Sequence, residues 1–446
     1  MSFPQYQECR DSGHIWLGNV PKHWTLKRLG HYFEERRERA SDTEFEPLSV
    51  TKLGIVPRLE SAAKTQDGDN RKKVLTGDFV INSRSDRKGS SGLSPTDGSV
   101  SLICTVLILD GLHGPFVHHL LRSELFQEEY YRWGKGIVAD LWSTNFSDMK
   151  NIVLSVPSDA EQIQIALFLD HETARIDALI EHQQRLIELL KEKRQAVISH
   201  AVTKGLDPTV PMKDSGMEWL GEVPAHWIVS RVKNIASFIT SGPRGWSDYI
   251  DESGEDIFLQ SGDMDNRLNV LFDKAKRITT PEGAEGVRTR LQDGDVVVCI
   301  TGANTGRVAV LGEVSQAAYV NQHLGLVRPY KLACNSRYLG YALSSSACQT
   351  YFNIEQYGLK EGLSLTDLAE APLMVPPLAE QAQLVDVIEN QLSKLDRLTA
   401  DSEMTVELLR ERRSALISAA VTGKIDVRGW QPPASATSPE LAQEAV

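Results

Sequence analysis

Residues 11–24, DSGHIWLGNVPKHW, decide the fold, because nearly the same stretch returns as DSGMEWLGEVPAHW at residues 214–227. The two copies are separated by a constant offset of 203 and align without a gap. Chance is an implausible cause of a match that keeps two tryptophans, two glycines and a proline in register. The chain is therefore expected to consist of two diverged halves.

A second repeat closes each half. Residues 156–164 (VPSDAEQIQ) match 375–383 (VPPLAEQAQ), and residues 198–203 (ISHAVT) match 417–422 (ISAAVT), both with an offset of 219. Because 219 exceeds 203 by 16, the second half carries 16 more residues between its repeats. Each half therefore follows the order constant, variable, constant.

The last constant stretch predicts a long helix in each half. In the first half it lacks Gly and Pro until Gly205 and is rich in strong helix formers. Apolar residues recur at spacings of three and four, which predicts one narrow coiled-coil stripe, formed by Ile176, Leu179, Ile180, Leu186, Ile187, Leu190, Val197, Ile198 and Ala201, and by Leu395, Leu398, Val406, Leu409, Leu416, Ile417 and Ala420. An unbroken helix would be about 65 Å long, which suits a spacer, although a helical bundle core is the alternative.

The variable segments predict small mixed α/β domains. Short β-branched runs at residues 79–81, 102–109, 296–300 and 308–311 are bounded by Gly, Asp, Ser and Asn. Basic residues cluster in both segments although the chain carries a formal net charge of −12. Loops of this composition suit hydrogen bonding to base edges and phosphates, although ordinary loops share it.

Composition excludes several classes of protein. With 446 residues, 41% hydrophobic and 24% charged, the chain is an ordinary globular protein with room for about three domains. Five scattered cysteines without a CxxC pair favour a reducing compartment and no structural zinc. No apolar run approaches the ~20 residues of a membrane span, so a cytoplasmic protein is expected.

Sequence motifs for catalysis are missing. There is no phosphate-binding Gly-x-x-x-x-Gly-Lys-[Ser/Thr] loop, no Asn-Pro-Pro-aromatic or Asp-Pro-Pro-aromatic motif of amino-methyltransferases and no Gly-x-Ser-x-Gly elbow. Carboxylates are plentiful, but their spacing does not single out a general acid and base. The sequence therefore predicts a protein that is not an enzyme and that has no cofactor and no metal site.

Together, these motifs resemble those of the DNA specificity subunit of type I restriction-modification systems. The resemblance covers nearly the whole chain and rests on the Trp-Leu-Gly-x-Val-Pro-x-His-Trp block, the Pro-x-x-Ala-Glu-Gln motif and the Ala-Val-Thr exit near Gly205 and Gly423. Residues 362–367 also resemble the family's end of a target recognition domain, whereas the first half keeps only Asp148 and a preceding hydroxyl there.

The resemblance implies an α+β fold in which two mixed α/β target recognition domains are separated by two long antiparallel coiled-coil helices, with an internal pseudo-twofold repeat. It implies these boundaries: residues 1–155, first constant block and recognition domain; 156–207, central helix; 208–374, second constant block and recognition domain; 375–426, C-terminal helix; 427–446, a disordered tail.

The resemblance also implies a function and partners. Each recognition domain would read one half of a bipartite, asymmetric sequence in double-stranded DNA, and the helices would set the spacing of the half-sites. The helices would also dock two copies of an adenine-N6 DNA methyltransferase subunit, and translocating restriction subunits would join through that core.

Candidate DNA contacts are the basic and polar loop side chains, since Arg suits guanine and Gln or Asn suits adenine. They are Ser49, Thr51, Lys52, Asn82, Arg84, Ser85, Arg87 and Lys88 in the first domain, and Ser241, Arg244, Trp246, Gln260, Ser261, Asn304, Thr305 and Arg307 in the second. Candidate partner contacts on the helix faces are Lys191, Lys193, Arg194, Arg410, Arg412 and Arg413. Each could instead be a loop hydrogen bond or a solvated charge. The repeated tryptophans are expected to form a hydrophobic clamp and not to stack on bases.

Two other functions remain open. A bipartite DNA-binding protein that acts without a methyltransferase should bind its site tightly as the isolated chain. A coiled-coil scaffold for proteins should lose nothing when the basic loop residues are replaced.

Overall fold

The computed structural model describes residues 3–59, 70–136, 142–281, 283–356 and 362–433. The chain divides into two compact units: unit 1 is Met1–Gln184 with Met404–Val446, and unit 2 is Arg185–Glu403. The two internal boundaries follow residues 184 and 403, which are 219 positions apart and so fall at equivalent points of the repeat. Each unit thus takes one half of each long helix.

Unit 1 contains short strands and three short helices around variable domain 1 (residues 25–156). In chain order they are β1 (Cys9–Asp11), β2 (Asn19–Pro21), β3 (Thr25–Arg28), β4 (Phe33–Glu35), β5 (Arg39–Ala40), β6 (Leu48–Thr51), β7 (Gly54–Pro57), β8 (Arg71–Val74), β9 (Phe79–Asn82), β10 (Ser91–Leu93), β11 (Gly98–Val100), β12 (Cys104–Leu109), α1 (Gly114–Arg122), α2 (Glu124–Arg132), α3 (Phe146–Met149) and β13 (Val153–Val156). The main sheet has the antiparallel order β10-β9-β12-β4, and a smaller sheet has the order β11-β8-β5.

Unit 2 repeats this plan in variable domain 2 (residues 228–375). After the long helix α4 (Asp159–Lys204) come β14 (Met212–Asp214), β15 (Glu222–Pro224), β16 (Ile228–Arg231), α5 (Val232–Ile235), β17 (Ala236–Ser241), β18 (Asp256–Leu259), β19 (Lys276–Ile278), α6 (Ala284–Thr289), β20 (Val296–Cys299), β21 (Val308–Val310), β22 (Ala318–Val320), β23 (Leu324–Pro329), α7 (Ser336–Ser344), α8 (Ser346–Glu355), α9 (Leu365–Glu370), β24 (Pro372–Val375) and the long helix α10 (Leu378–Val421). The main sheet is β17-β23-β20-β21, and the smaller sheet is β19-β18-β22. The predicted α+β class and the predicted strand runs are confirmed.

One antiparallel strand pair opens and closes each variable domain. In unit 1, β3 pairs with β13, so that Thr25 lies opposite Val156. In unit 2, β16 pairs with β24 in the same way, so that Ile228 lies opposite Val375. The pair brings the constant block beside the start of a long helix, although over a hundred residues separate them in sequence.

The two repeated motifs contact each other through a glutamate. In unit 1 the His23 Nε2 lies 3.0 Å from both carboxylate oxygens of Glu161, and the Trp24 indole donates to Glu161 Oε1 at 3.5 Å. In unit 2 the equivalent distances to Glu380 are 2.9 Å from His226 Nε2 and 3.0 Å from Trp227 Nε1. The glutamate of the Ala-Glu-Gln motif therefore holds the His-Trp end of the constant block.

The neighbouring glutamine ties the helix start to the variable domain. Gln162 donates to the Pro157 carbonyl at 3.1 Å and accepts from the His113 N–H at 2.9 Å, just before α1. Gln381 donates to the Pro376 carbonyl at 2.9 Å and accepts from the Asn335 N–H at 2.7 Å, just before α7. The same contacts thus position α1 and α7 at equivalent points of the two variable domains.

Within each unit, the halves of α4 and α10 run antiparallel and are linked by an ion pair. Arg413 Nε lies 2.8 Å from Asp177 Oδ1 in unit 1, and Arg194 Nε lies 3.6 Å from Asp396 Oδ1 in unit 2. An offset of 219 separates both the two aspartates and the two arginines, so the two ion pairs occupy equivalent positions in the repeat. Most of the predicted apolar stripe is buried, but Leu179, Leu186 and Leu398 are exposed.

Each long helix ends at a glycine with positive φ, although the two glycines are not at equivalent positions. Gly205 has φ 76° and Gly423 has φ 71°, a left-handed conformation that favours glycine at a helix end. Both pack beside a repeated tryptophan, Trp227 and Trp24 respectively. The order Lys204-Gly205 in the first half becomes Gly423-Lys424 in the second, so the glycine is displaced by one residue relative to the repeat.

The repeated tryptophans are mostly core residues, as the clamp prediction requires. Trp24 and Trp227 are each 1% exposed, and Trp16 is 7% exposed against Phe126. Trp219 differs, because 45% of it is exposed. The predicted clamp therefore applies to three of the four.

The disordered tail predicted for residues 427–446 begins too early. Val427 is 1% exposed in the core of unit 1, and the Trp430 ring packs edge-on against Phe168 with centroids 5.3 Å apart. These apolar contacts order the segment up to Trp430, whereas residues 434–446 lie outside the described residues.

Among the helices of the described ranges, none combines the length and apolarity that crossing a membrane requires.

Candidate nucleic-acid interface

The candidate residues of variable domain 2 lie where strands end. Strands β17 and β20 both run antiparallel to β23, so their last residues, Ser241 and Cys299, reach the same edge of the sheet. In the smaller sheet β18 and β22 are parallel, and the Asn321 N–H donates to the Leu259 carbonyl at 3.1 Å. Because residues 321–323 connect β22 to β23, all four strand ends meet at one place, the strand-end edge of this domain.

Two of the predicted loops contact each other at this edge. The Asn304 amide donates to the Ser261 carbonyl at 3.4 Å, and the Arg307 guanidinium donates to the Met264 carbonyl at 3.1 Å. The Gln260 side chain accepts from the Asp263 N–H, and Thr305 donates to the Gly302 carbonyl at 2.6 Å. Sequence separation hides this grouping, since over 40 residues separate the two loops.

The third predicted loop of this domain approaches the same edge. A Cβ atom at Gly242 would collide with the Val320 carbonyl, so this loop crosses directly over the end of β22. The Arg244 side chain is exposed there. The prediction that Trp246 contacts DNA is corrected. Its side chain is 4% exposed, and its ring centroid lies 5.6 Å from that of Tyr319 in the core, where a duplex cannot reach it.

Variable domain 1 presents its candidates in the same arrangement. Ser49, Thr51 and Lys52 lie at the end of β6, and residues 82–88 follow β9. The Thr51 hydroxyl donates to the Gly54 carbonyl at 3.0 Å, and the Ser49 hydroxyl accepts from the Leu59 N–H at 3.1 Å. Ser85 donates its N–H to the Trp142 carbonyl at 2.9 Å. Many of these polar groups therefore shape turns.

Asn82 is a correction in this domain. It is 7% exposed, and its side-chain oxygen accepts from the Arg84 N–H at 3.2 Å. Its amide therefore shapes the turn after β9 and is not displayed to a ligand.

Most basic candidates of variable domain 1 already have an acidic neighbour. Arg84 and Arg87 approach Asp86 at 3.0 and 3.8 Å, and Lys88 pairs with Glu128. All of these pairs are at least one-third exposed, where ion pairs contribute little, typically below about 1 kcal/mol. A phosphate can therefore compete for these side chains at low energetic cost.

The Gly-Asp turn before β9 and β20 is structural. Asp78 is 4% exposed and binds Arg36 at 2.7 Å, and Asp295 is 1% exposed and binds Arg328 at 2.7 Å. Each carboxylate also accepts a backbone N–H within its own turn. These buried pairs hold the start of the strand whose other end carries the candidate loop.

The helix-face candidates fall into two groups. Lys191 and Arg410 are exposed and pair within their own helices with Glu188 and Glu407, while Lys193 and Arg412 are also exposed. Arg194 and Arg413 are corrections, since each faces an aspartate of the other long helix within its unit. Their charges therefore contribute to helix pairing, and Arg194 is mostly buried, whereas the Arg413 side chain is 38% exposed.

Two further basic residues at these edges were not predicted as DNA contacts. Arg288 on α6 donates to the Ser241 carbonyl at 3.4 Å, next to the Arg244 loop. Arg122 at the end of α1 donates to the Lys52 carbonyl at 2.5 Å. Both lie on helices, whereas the predicted contacts lie in loops, and sequence spacing gives no signal that places either residue at this edge.

The chain is thus an α+β protein with two variable domains on a duplicated scaffold, and its strand-end loops differ between the two domains. Residues 224–407 match the family model described as the Type I restriction modification DNA specificity domain. The resemblance to type I specificity subunits is thereby confirmed.

Two curated relatives are similar over part of the chain. The EcoKI specificity subunit of Escherichia coli K12 is 24% identical over 220 residues, covering 46% of this chain and 44% of that protein. The EcoBI specificity subunit of Escherichia coli is 29% identical over 111 residues, covering 25% of this chain and 23% of that protein. The matched regions thus span less than half of either relative.

Solved structures share the fold along most of the chain. A chain from a type I R-M system, solved to explain complex assembly and conformational transition, has a TM-score of 0.71 at 16% identity, covering 91% of this chain and 99% of that one. The HsdS subunit from Thermoanaerobacter tengcongensis has a TM-score of 0.52 at 19% identity, covering 91% and 98%. At sequence identities this low, the similarity establishes a shared fold and not a shared function.

Proposed function

We propose that this chain is the non-catalytic, sequence-specific DNA recognition subunit of a type I restriction-modification complex. Each variable domain reads one half of a bipartite, asymmetric target in double-stranded DNA. The observation that carries the proposal is the contrast between repeated and unrepeated contacts. The glutamate, glutamine and interhelical contacts recur in both units, whereas the strand-end loops share neither length nor sequence.

The chemistry of the strand-end edges supports base reading. Variable domain 2 presents Arg244, Asn304 and Arg307 on adjoining loops, and these side-chain types bond guanine and adenine edges in the major groove. Variable domain 1 presents Arg84 and Arg87 at the equivalent edge. Different side chains on equivalent edges suit two different half-sites.

Repeated exposed leucines support docking of two identical partners. Leu179 and Leu398 are 42% and 52% exposed and occupy equivalent helix positions. Leu189 and Leu408 form a second equivalent pair, 44% and 58% exposed. Apolar side chains displayed at matching positions suit two copies of one protein, which we propose to be an adenine-N6 methyltransferase subunit; restriction subunits join through the same core.

The helices set the distance between half-sites in this proposal. Major-groove contacts on one face of a duplex recur about every 34 Å, so a fixed gap needs a rigid spacer. The net charge of −12 is compatible with DNA binding if the methyltransferase subunits supply much of the phosphate contact.

The pattern of genomic N6-methyladenine tests the proposal. Cells that produce this chain with an adenine methyltransferase partner should methylate one gapped, asymmetric motif, and cells that lack only this chain should lose that motif. If the methyltransferase is active and no motif depends on this chain, the proposal is wrong, and a stand-alone DNA-binding protein or a scaffold takes its place.

Single substitutions test the assignment of half-sites. Arg244→Ala should change the bases or the methylation level of one half-site only, and Arg87→Ala should affect only the other half-site. Lys331→Ala is the matched control, because Lys331 is exposed and follows β23 at the opposite edge of the sheet. An unchanged motif and methylation level in both arginine variants would contradict base reading by these edges.

A further inference from the structure

Variable domain 1 borders a basic cleft that the proposed base contacts do not use. The cleft has a volume of about 400 Å³ and lies within unit 1. Its basic lining residues come from separate elements: Lys52 after β6, Lys88 after β9, Arg122 at the end of α1, and Arg413 on α10. Two of these elements are the loops of the strand-end edge, so the cleft opens beside the proposed DNA surface.

Lys52 and Arg122 have no acidic partner among the residues that the structure describes. The Arg122 guanidinium instead donates to the Lys52 carbonyl at 2.5 Å and lies 2.7 Å from His118 Nε2. Burial and the nearby Arg413 lower the pKa of Arg122, so this cation sits where a positive charge is unfavourable. An anion in the cleft would supply the missing counter-charge.

The two glutamates that line the cleft are already engaged. Glu128 pairs with Lys88, and Glu124 accepts from the Ser414 hydroxyl at 2.7 Å. Burial lowers the pKa of His118 to about 4, so its ring is neutral near pH 7 and accepts from Arg122. The cleft therefore keeps an excess of positive charge.

Unit 2 does not repeat this arrangement. Counting from His113 and Asn335, whose N–H groups bind the equivalent glutamines, places Gly340 opposite His118 and Ser344 opposite Arg122. Arg122 and His118 thus belong to one variable domain, whereas Arg413 belongs to the shared scaffold.

We propose that this cleft binds a phosphate group of the DNA backbone beside the half-site read by variable domain 1, with Arg122 and Lys52 as its ligands. A guanidinium and an ammonium group that line the same cleft suit a phosphate oxyanion. The contact is independent of base sequence and fixes the register of the first domain on the duplex. This inference rests on the proposed DNA-recognition function.

Salt-dependent duplex binding tests the inference with the full chain, assembled with its methyltransferase partner if binding requires it. Lys52→Gln and Arg122→Gln should each weaken binding equally for every sequence and make the slope of log K against log salt concentration less steep by about 0.9. The methylated motif should stay unchanged. Lys22→Gln, which removes an exposed charge in the constant block, should leave the slope unaltered.

Lys52→Gln keeps the test valid if Arg122→Gln disturbs the fold, because only the Lys52 carbonyl is used by a neighbour in the described structure. A second measurement distinguishes the source of the phosphate. Inorganic phosphate is compared with chloride at equal ionic strength for its effect on the melting temperature. If phosphate stabilises the wild-type chain but neither variant, and the binding slope is unchanged, the ligand is free phosphate and the backbone contact is overturned.

If the slope and the phosphate effect match the wild type in both variants, the cleft is not a phosphate site. Failure of the proposed function would give a different result. The wild-type chain itself would then show no sequence-dependent DNA binding, and no methylated motif would depend on its presence. The effect of phosphate on the melting temperature still shows whether the cleft binds phosphate in that case, because the measurement requires no DNA.

Discussion

The carboxylate of Glu161 holds four groups of unit 1 together. Its side chain is 8% exposed and receives hydrogen bonds from Tyr6, Trp24 and Ser158 besides the His23 contact. Burial alone would raise the pKa of Glu161, but the bonds from His23, Trp24 and Tyr6 outweigh burial and hold it below its usual value. Within the described part of the chain, Glu380 contacts only His226 and Trp227, and its side chain is 29% exposed.

Glu161→Ala should therefore destabilise unit 1 more than Glu380→Ala destabilises unit 2. Removing Glu161 leaves buried donors without an acceptor, at a cost of about 3 kcal/mol, whereas the half-exposed Glu380 site should lose about 1 kcal/mol. Hydrogen-exchange protection of β2, β3 and their equivalents in unit 2 measures each unit separately. Glu8→Ala, at a 74% exposed ion pair, is the control, and equal losses at Glu161 and Glu380 would contradict the argument.

His118 should make the stability of unit 1 depend on pH. Its pKa is lowered to about 4 by burial and by the charges of Arg122 and His119. Between that pH and the ordinary histidine pKa, the His118 ring is therefore neutral in the folded chain but protonated in the unfolded chain. This effect is absent above about pH 6.5 and costs stability as the pH falls from there towards 4.

His118→Gln removes this titration. Between pH 7 and pH 5 the variant should gain about 2 kcal/mol relative to the wild type in the free energy of unfolding, measured by urea denaturation at both pH values. The comparison cancels the other titrating groups, which both chains share. A constant difference between the two chains would show that His118 titrates normally.

At the scale of the helices, the repeated ion pairs differ in burial and so in their expected energies. Arg194 and Asp396 are 17% and 23% exposed, and Arg194 Nη1 is buried without a hydrogen bond in the described structure. Arg413 and Asp177 are 38% and 52% exposed. Screening by water weakens the more exposed pair.

Asp396→Asn should accordingly cost unit 2 about 2 kcal/mol, while Asp177→Asn should cost unit 1 less than about 1 kcal/mol. Replacing both members of the less exposed pair, by Arg194→Met with Asp396→Leu, should recover most of the loss, because Arg267, the other cation at Asp396, is 55% exposed and stays hydrated. Hydrogen exchange along α4 and α10 measures these changes. A double variant as unstable as the single one would argue against the ion-pair explanation.

The helices and strands were the most predictable elements, and the grouping of loops was the least. Periodicity and the lack of Gly and Pro predicted both long helices, which end within a few residues of the expected positions. The strand-end edge could not be predicted, because Ser261 and Asn304 meet only through the parallel pairing of β18 with β22 and the sheet order. Trp246 and Asn82 show the same limit, since a polar or aromatic loop residue gives no local sign of its burial.

At the scale of the whole molecule, the spacer role predicts a change in the gap between half-sites. Inserting seven helix-forming residues after Gln184 and seven after Glu403 keeps the apolar stripe in phase and adds about 10 Å to each helix. The methylated motif should keep its half-site bases and widen by about three base pairs, as read from genomic methylation. An insertion in α4 alone should misalign the stripes and abolish methylation; a motif of unaltered spacing in the double insertion would rule out the spacer role.

The equivalence of the two constant blocks also bears on the history of the gene. A crossover between the codons of Trp24 and Trp227 would delete 203 residues in frame and leave His23 and Trp24 facing Glu380 in place of their own glutamate. The shortened product would retain one variable domain and one long helix whose buried stripe has lost its mate. A second copy of the same product carries an identical stripe and could cover it, so a single deletion would turn the internal repeat of this chain into the symmetry of a dimer.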